Sequence, residues 1–212
     1  MFVLSMEVNG QIDSTCYFFA SAHITLLNFF QSKDFYKGWT STSKNTGIKS
    51  FETGILFRFG SKNKNWSGLR LQISSSPSDA LSRSRYVSYR KQNRTVSYTS
   101  TDDLGIKMTN IGYVFFRTFR TNRRTGLFIS PSIILGTMRQ KFMRDVNAES
   151  ESKATGFDFE SGVIWYPIKE IGIKTLIGYR SLKIKINAFE SYGEVICWSG
   201  PYLAAGISIA IP

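Results

Sequence analysis

The final run of the chain, residues 202–211, alternates two kinds of side chain with a period of two. One parity is wholly apolar: Leu203, Ala205, Ile207, Ile209 and Ile211. The other parity, apart from Tyr202, is small: Ala204, Gly206, Ser208 and Ala210. Because successive side chains of a β-strand point to opposite faces, this run predicts a strand with one apolar and one small face. Such a strand is typical of the wall of a closed β-barrel.

The same period recurs through most of the chain, and no stretch of helical period competes with it. The clearest further strands are predicted over 51–60, 66–75, 156–166 and 171–186. We therefore predict an all-β fold, an antiparallel up-and-down transmembrane β-barrel of about 8–10 strands. A chain of 212 residues suits one such domain. We place it at 23–212 and leave the structure of the N-terminal segment 1–22 open.

Three local features predict departures from regular strands. Pro131 lacks an amide donor and predicts a bulge or a local break in pairing. In the strand over 171–186 the apolar parity changes after Tyr179, which predicts a β-bulge near Arg180–Ser181. Thr101–Asp103 is predicted to turn the chain between two separate strands.

Strand period alone does not separate a barrel in lipid from a soluble barrel. The alternative is a lipocalin-like barrel that binds an apolar ligand in its interior. The connections over 139–155, 167–170 and 187–201 run long, short, long. Outer-membrane barrels alternate short periplasmic turns with long external loops, so this order favours the membrane barrel with 139–155 and 187–201 outside.

Aromatic residues cluster near the predicted strand ends, which favours the same reading. Rings at the depth of the lipid headgroups would explain this placement. The alternative is that these rings form a core. The residues concerned are Phe115, Phe116, Phe119, Trp165, Tyr166, Trp198 and Tyr202.

The segment 157–211 resembles the closing strands of small bacterial outer-membrane β-barrel proteins. The matching features are Trp165-Tyr166-Pro167, the stretch from Gly178 to Lys183, and Trp198 to Leu203 at the start of the last strand. The resemblance implies a protein of the bacterial outer membrane that the barrel-assembly machinery folds. It implies no catalytic residue. This family usually ends in Phe or Trp, whereas this chain ends in Ile211-Pro212.

Charged residues on the polar parity predict a network inside the barrel. Asp158 and Glu160 share a strand face, roughly 7 Å apart. Paired carboxylates can act as acid and base, but in a barrel they more often pair with cations. The predicted lumen network is Arg58, Arg70, Asp158, Glu160, Lys174 and Arg180. Such a network would plug a barrel of about eight strands.

The sequence predicts no enzyme, no cofactor and no metal site. The single histidine, His23, would need a nucleophile and an orienting acid beside it. A lipid hydrolase using His23 remains a third and weaker hypothesis. Cys16 and Cys197 lie far apart without metal-ligand spacing, and two free thiols are favoured over a disulfide.

The formal charge of +12 points to anionic partners. The basic residues are dispersed rather than gathered into a stripe, so we predict no nucleic-acid partner. The expected partner is outer-membrane lipid or lipopolysaccharide, met by Arg139, Lys141, Arg144 and Lys153 in an outer loop. The predicted function is therefore non-enzymatic: a structural or surface-recognition role through basic outer loops.

Overall fold

The structure is a computed structural model that describes eleven stretches of the chain. Their bounds are 16–28, 31–34, 39–43, 47–59, 65–76, 81–91, 94–119, 125–142, 149–167, 170–185 and 195–211. Within these stretches no helix is long and apolar enough to cross a membrane.

Eight long antiparallel strands form the barrel, and three more strands lie outside the ring. The barrel strands are β1 (Cys16–Asn28), β4 (Lys49–Phe59), β5 (Asn65–Ser75), β7 (Arg94–Thr118), β8 (Thr125–Phe142), β9 (Glu149–Trp165), β10 (Ile171–Lys185) and β11 (Val195–Ile211). The additional strands are β2 (Gln31–Asp34), β3 (Trp39–Ser43) and β6 (Leu81–Lys91). The first barrel strand begins at Cys16, so part of the segment 1–22 joins the wall.

Each barrel strand pairs with its sequence neighbour in the ring, and β1 pairs with both β4 and β11 to close it. A row of paired residues that starts at Phe59 passes through every strand and returns to β4 at Lys49, ten residues away. Strands are therefore steeply tilted, and a ring of eight leaves an interior that side chains can fill. The predicted all-β, antiparallel, up-and-down barrel is confirmed.

The two ends of the barrel differ in their connections. At one end β4–β5, β7–β8 and β9–β10 are joined by short segments, among them the predicted turn at 167–170. The opposite, long-loop end carries the three additional strands. There β2 pairs with β11, β3 pairs with β6, and β6 pairs with residues 94–104 of β7. We call the long-loop end the outer end.

The predicted loops 139–155 and 187–201 are too long. The strand β8 continues to Phe142, β9 begins at Glu149, and β11 begins at Val195. Likewise Thr101–Asp103 is no turn, since β7 runs unbroken from Arg94 to Thr118. The segments 101–103, 139–142 and 149–155 are largely polar and 195–201 follows a polar stretch, but backbone pairing continues through all four whatever the side chains are.

Large apolar side chains cover the outside of the barrel. Ile133 is 66% exposed, Leu26 62% and Leu69 60%. Every described barrel strand contributes, as shown by Ile24, Phe51, Ile73, Ile111, Leu135, Phe157, Ile177 and Ile207. Contiguous apolar surface of this extent is unfavourable in water and suits the hydrocarbon of a bilayer. The soluble lipocalin-like alternative is therefore wrong, because its apolar parity would face inward.

Of the seven aromatic residues of the predicted belt, three face outward and four face inward. Phe115, Phe119 and Trp165 are exposed on the outside, as expected for rings near headgroups. The other four, Phe116, Tyr166, Trp198 and Tyr202, point into the barrel and are at most 2% exposed. Their even numbering places them on the inward parity, which clustering along the sequence does not reveal.

The strand β10 has no bulge. Its pairing with β9 and β11 keeps one register across Arg180–Ser181, and its even residues stay inside along the whole strand. The apolar parity changes because the surroundings change: beyond Arg180, towards the outer end, the inner face is apolar, with Leu182 and Ile184 fully buried. The outer face there carries Lys183 and Lys185, both exposed. The bulge prediction was therefore wrong.

Pro131 produces the predicted local break in strand pairing, without a shift of register. Pairing of β8 with β7 stops after Gly112↔Ser132 and resumes in the same register at Phe115↔Ile129. The Ser130 hydroxyl donates to the Tyr113 carbonyl at 2.8 Å. That oxygen lies opposite Pro131, so a side chain replaces the missing backbone donor.

Candidate functional site: the closed lumen and the basic outer rim

A layer of buried charge crosses the middle of the barrel. It contains the carboxylates Glu52, Asp158 and Glu160 and the cations Arg70, Lys174 and Arg180, all at most 2% exposed. Inward positions of β4, β5, β9 and β10 supply them. Three charges of each sign balance, which buried ions require when water is excluded.

Glu52 is the centre of one half of the network. Its Oε2 accepts from Arg70 Nη1 at 3.1 Å, and its Oε1 accepts from the Lys174 ammonium. The Ser21 hydroxyl donates to the same Oε1 at 2.6 Å. One carboxylate thus joins β1, β4, β5 and β10 across the lumen.

Glu160 and Asp158 organise the other half. Arg70 also donates to Glu160 Oε2, so its guanidinium bridges Glu160 and Glu52. Arg180 donates to Asp158 Oδ2 through Nε at 3.1 Å and through Nη2 at 2.5 Å. Charge-assisted contacts of this kind are among the strongest hydrogen bonds in proteins.

Tyr202 joins the two acidic residues. Its hydroxyl lies 2.9 Å from Asp158 Oδ1 and 2.8 Å from Glu160 Oε1. A phenol carries one proton, so Tyr202 donates to one of these carboxylates at a time. Its ring lies over Gly178, the residue paired with it on β10. A Cβ at Gly178 would approach Tyr202 Cζ to 2.3 Å, so only glycine leaves room for this ring.

Amides complete the layer. Asn110 Nδ2 donates to Gln72 Oε1 and to Asp158 Oδ2, each at 3.1 Å. Gln72 Nε2 lies 3.2 Å from His23 Nε2 and 3.4 Å from Glu160 Oε1. Because an amide nitrogen only donates, His23 Nε2 is an acceptor in this arrangement.

Apolar side chains seal the charged layer on both sides. Towards the short-turn end lie Leu56, Trp66, Phe116, Phe128 and Ile164, and towards the outer end lie Ile48, Ile106, Met108, Met138, Leu182, Ile184 and Trp198. Lys174 Nζ lies 4.6 Å from the Phe128 ring centre, which links the charge to the lower apolar layer. A cavity of only about 20 Å³ remains beside Glu52, Arg70 and Lys174. Through the described residues the lumen is closed.

The structure places all six predicted lumen residues on the inward face. Arg70, Asp158, Glu160, Lys174 and Arg180 lie in the charged layer. Arg58 is half-buried nearer the short-turn end, where it pairs with Trp66 on β5. Sequence reasoning missed Glu52, Gln72, Asn110 and Tyr202 as members. Each has the inward parity of its strand, so the signal was present for all four.

The predicted basic loop is only partly described. Lys153 is exposed at the outer end of β9. The backbones of Arg139 and Lys141 lie in β8, where they pair with Glu151 and Glu149, but their side chains are outside the described part of the structure. Arg144 lies outside the described residues altogether.

Other lysines missed by sequence reasoning also mark the outer end. Lys49, Lys107, Lys183 and Lys185 are exposed where the apolar belt ends on β4, β7 and β10. We call these four and Lys153 the outer rim. At the short-turn end the described exposed cation is Arg117.

Cys197 is free and half-buried. It pairs with Lys183 near the outer end, whereas Cys16 pairs with Phe57 near the short-turn end. The two cysteines are therefore too far apart for a disulfide within the chain.

No protein-family model matches the chain, and no curated protein matches it. Among solved structures it is similar to the outer membrane protease OmpT from Escherichia coli, with 10% identity, a TM-score of 0.54, and coverage of 98% of this chain and 100% of that one. It is also similar to OprG from Pseudomonas aeruginosa (10% identity, TM-score 0.47, coverage 93% and 96%). A third is Neisserial surface protein A (14% identity, TM-score 0.43, coverage 92% and 97%).

At these identities the likeness is one of fold, and the OmpT comparison carries it. The apolar belt agrees with the location that the sequence predicts, a bacterial outer membrane.

Proposed function

We propose that the chain is a non-enzymatic outer-membrane barrel with a structural and surface-recognition role, exerted through its basic outer end. The observation that carries this proposal is the separation of charge. Inside, three cations and three carboxylates balance. Outside, the five outer-rim lysines face one exposed described carboxylate at that end, Glu151. The excess positive charge of the outer end is therefore available to partners at and beyond the outer headgroups.

The setting of the one histidine supports a non-enzymatic role. His23 is 3% exposed and lies in the charged layer, between two apolar layers. Its neighbour Ser21 donates to Glu52, so this hydroxyl is not paired with the imidazole. A Ser–His pair open to substrate is thus not formed here. OmpT is named a protease, and that activity is a property of that protein.

The partners that fit the outer end are anionic. Outer-leaflet lipid and lipopolysaccharide carry phosphates, and each lysine or arginine near such a surface contributes about 1 kcal/mol. Arg139, Lys141, Arg144 and Lys153 are proposed to meet these groups. Biogenesis through the barrel-assembly machinery is proposed from the fold.

Binding of a soluble phosphorylated oligosaccharide from lipopolysaccharide tests the recognition role. The full chain is inserted into neutral phosphatidylcholine vesicles, and binding is measured against salt concentration. We expect binding that weakens as salt screens the charges. Lys185→Gln should weaken it roughly fivefold, as expected for one charge.

The matched control is Arg117→Gln, which removes one exposed cation from the short-turn end. It should leave binding unchanged. Salt-independent binding, or equal loss in both variants, would contradict recognition by the outer end.

A further inference from the structure

A groove of about 660 Å³ lies on the wall of the barrel at the upper edge of the apolar belt. Strands β5, β7, β8 and β9 form it. Lys107 and Lys153 stand at its two sides, and Ile73 and Leu135 lie below them. Thr137 and Thr155 lie between, and their short side chains leave the depression.

Strand register fixes the two lysines relative to each other. Lys107 pairs with Thr137, and Thr137 pairs with Lys153, so the three lie in one row across adjacent strands. Two inter-strand spacings put the lysine Cα atoms roughly 10 Å apart. Both side chains are exposed and long enough to converge above Thr137. On the far side of Lys153, β10 adds Lys185 in the same row.

The order of chemistry from top to bottom is that of a lipid. The two lysines share the uppermost row with Thr137, and Thr155 lies one row below. Leu135, paired with Thr155, follows one row below the lysines. The next row carries Ile111, Ile133 and Phe157, all exposed in the belt. The groove thus continues into lipid-facing surface without a boundary, and its occupant enters from the bilayer.

The positive charges of Lys107 and Lys153 favour one class of lipid headgroup. Two ammonium groups that can reach one anion match a phosphate monoester, which carries up to two negative charges, better than a singly charged phosphodiester. We propose that this groove binds the phosphate monoester headgroup of a membrane lipid, with Lys107 and Lys153 as its cationic ligands and an acyl chain over Ile73 and Leu135. This rests on the proposed membrane location and names a lipid class for the outer rim.

Lipid association measured on the full chain in vesicles tests the proposal. The probes are spin-labelled phosphatidic acid, a monoester, and spin-labelled phosphatidylglycerol, a diester, with the same acyl chains, in phosphatidylcholine at about pH 8. The motionally restricted fraction gives relative association. We expect phosphatidic acid to be preferred severalfold. Lys107→Gln/Lys153→Gln should remove that preference and lower association with phosphatidic acid about 25-fold.

The matched control, Arg117→Glu, also changes the charge by two units but lies at the short-turn end and spares the groove. It should keep the preference. Equal association of both lipids, or equal loss in the double variant and the control, overturns the proposal. Soluble glycerol 3-phosphate should not compete; displacement by it would show a free-anion site and overturn the lipid assignment.

Insertion is scored separately by the heat-modifiable mobility of the folded barrel on a gel. A chain that inserts but shows no preference for phosphatidic acid refutes the groove alone. A chain that does not insert refutes the membrane location on which the proposed function rests.

Discussion

At the scale of single residues, the lumen charges are the feature most sensitive to substitution. Each carboxylate of the charged layer contacts at least one cation, and several contacts are shared. Without water, removing one member leaves its partners charged and uncompensated. Removing a cation and an anion together restores the balance.

Glu52→Gln is expected to lower the free energy of unfolding by about 3–5 kcal/mol, because Arg70 and Lys174 both lose a carboxylate. Glu52→Gln/Lys174→Met should recover much of that loss. Urea unfolding in lipid vesicles measures both. If the double variant is as unstable as the sum of the two single variants, the two groups are not paired.

Gly178→Ala is expected to cost about 1–3 kcal/mol, because the new methyl group displaces the Tyr202 ring and with it the phenol between Asp158 and Glu160. The control is Thr175→Ala, an outward position on the same strand, where a change within about 0.5 kcal/mol is expected. Equal effects of the two substitutions in the same unfolding assay would mean that Gly178 has no packing role.

At the scale of strands, each barrel strand passes through two environments. Along β5 the outward face runs from Leu69 and Leu71 through Ile73 to Ser75, where the belt ends. The inward face follows its own order, from Trp66 through Arg70 and Gln72 to Ser74. The position along the strand therefore decides whether the side chains of one face are apolar, polar or charged.

Leu71→Arg should cost about 2–4 kcal/mol, because it places a charge in the middle of the bilayer. Ser75→Arg, on the same face of the same strand, should cost about 0–1 kcal/mol because it lies near the interface. Equilibrium unfolding in vesicles gives both values. Similar costs at the two positions would place Leu71 outside the hydrocarbon.

The parity of each strand predicts that Arg70, Asp158, Glu160, Lys174 and Arg180 lie on the inner face, and the structure places them there. The bulge prediction in β10 was wrong because the apolar parity crosses from the outer to the inner face above Tyr179 while the register stays constant. A change of environment and a change of register give the same letter pattern, and only cross-strand pairing separates them.

At the scale of the molecule, the barrel has an apolar outside, a charge-balanced closed inside and a basic outer rim. The closed ring could be predicted from the two-residue period and the order of long and short connections. The network could not be predicted in full, since contacts such as Lys174 to Glu52 join residues 122 positions apart in the chain. They depend on the register of all eight strands.

A spin-label scan along β10 tests the central claim, a barrel with lipid outside and a closed lumen inside, most directly. Each of residues 171–185 except Gly172, Lys174, Gly178 and Arg180 is replaced by a labelled cysteine after Cys16→Ser and Cys197→Ser, and the chain is inserted into vesicles. We predict that oxygen dissolved in lipid reaches odd positions from 171 to 179 and that a water-soluble nickel chelate reaches 183 and 185. Even positions should be protected throughout. Access of the chelate to 173 and 177, or an exchange of parity at 180–181, would contradict the account.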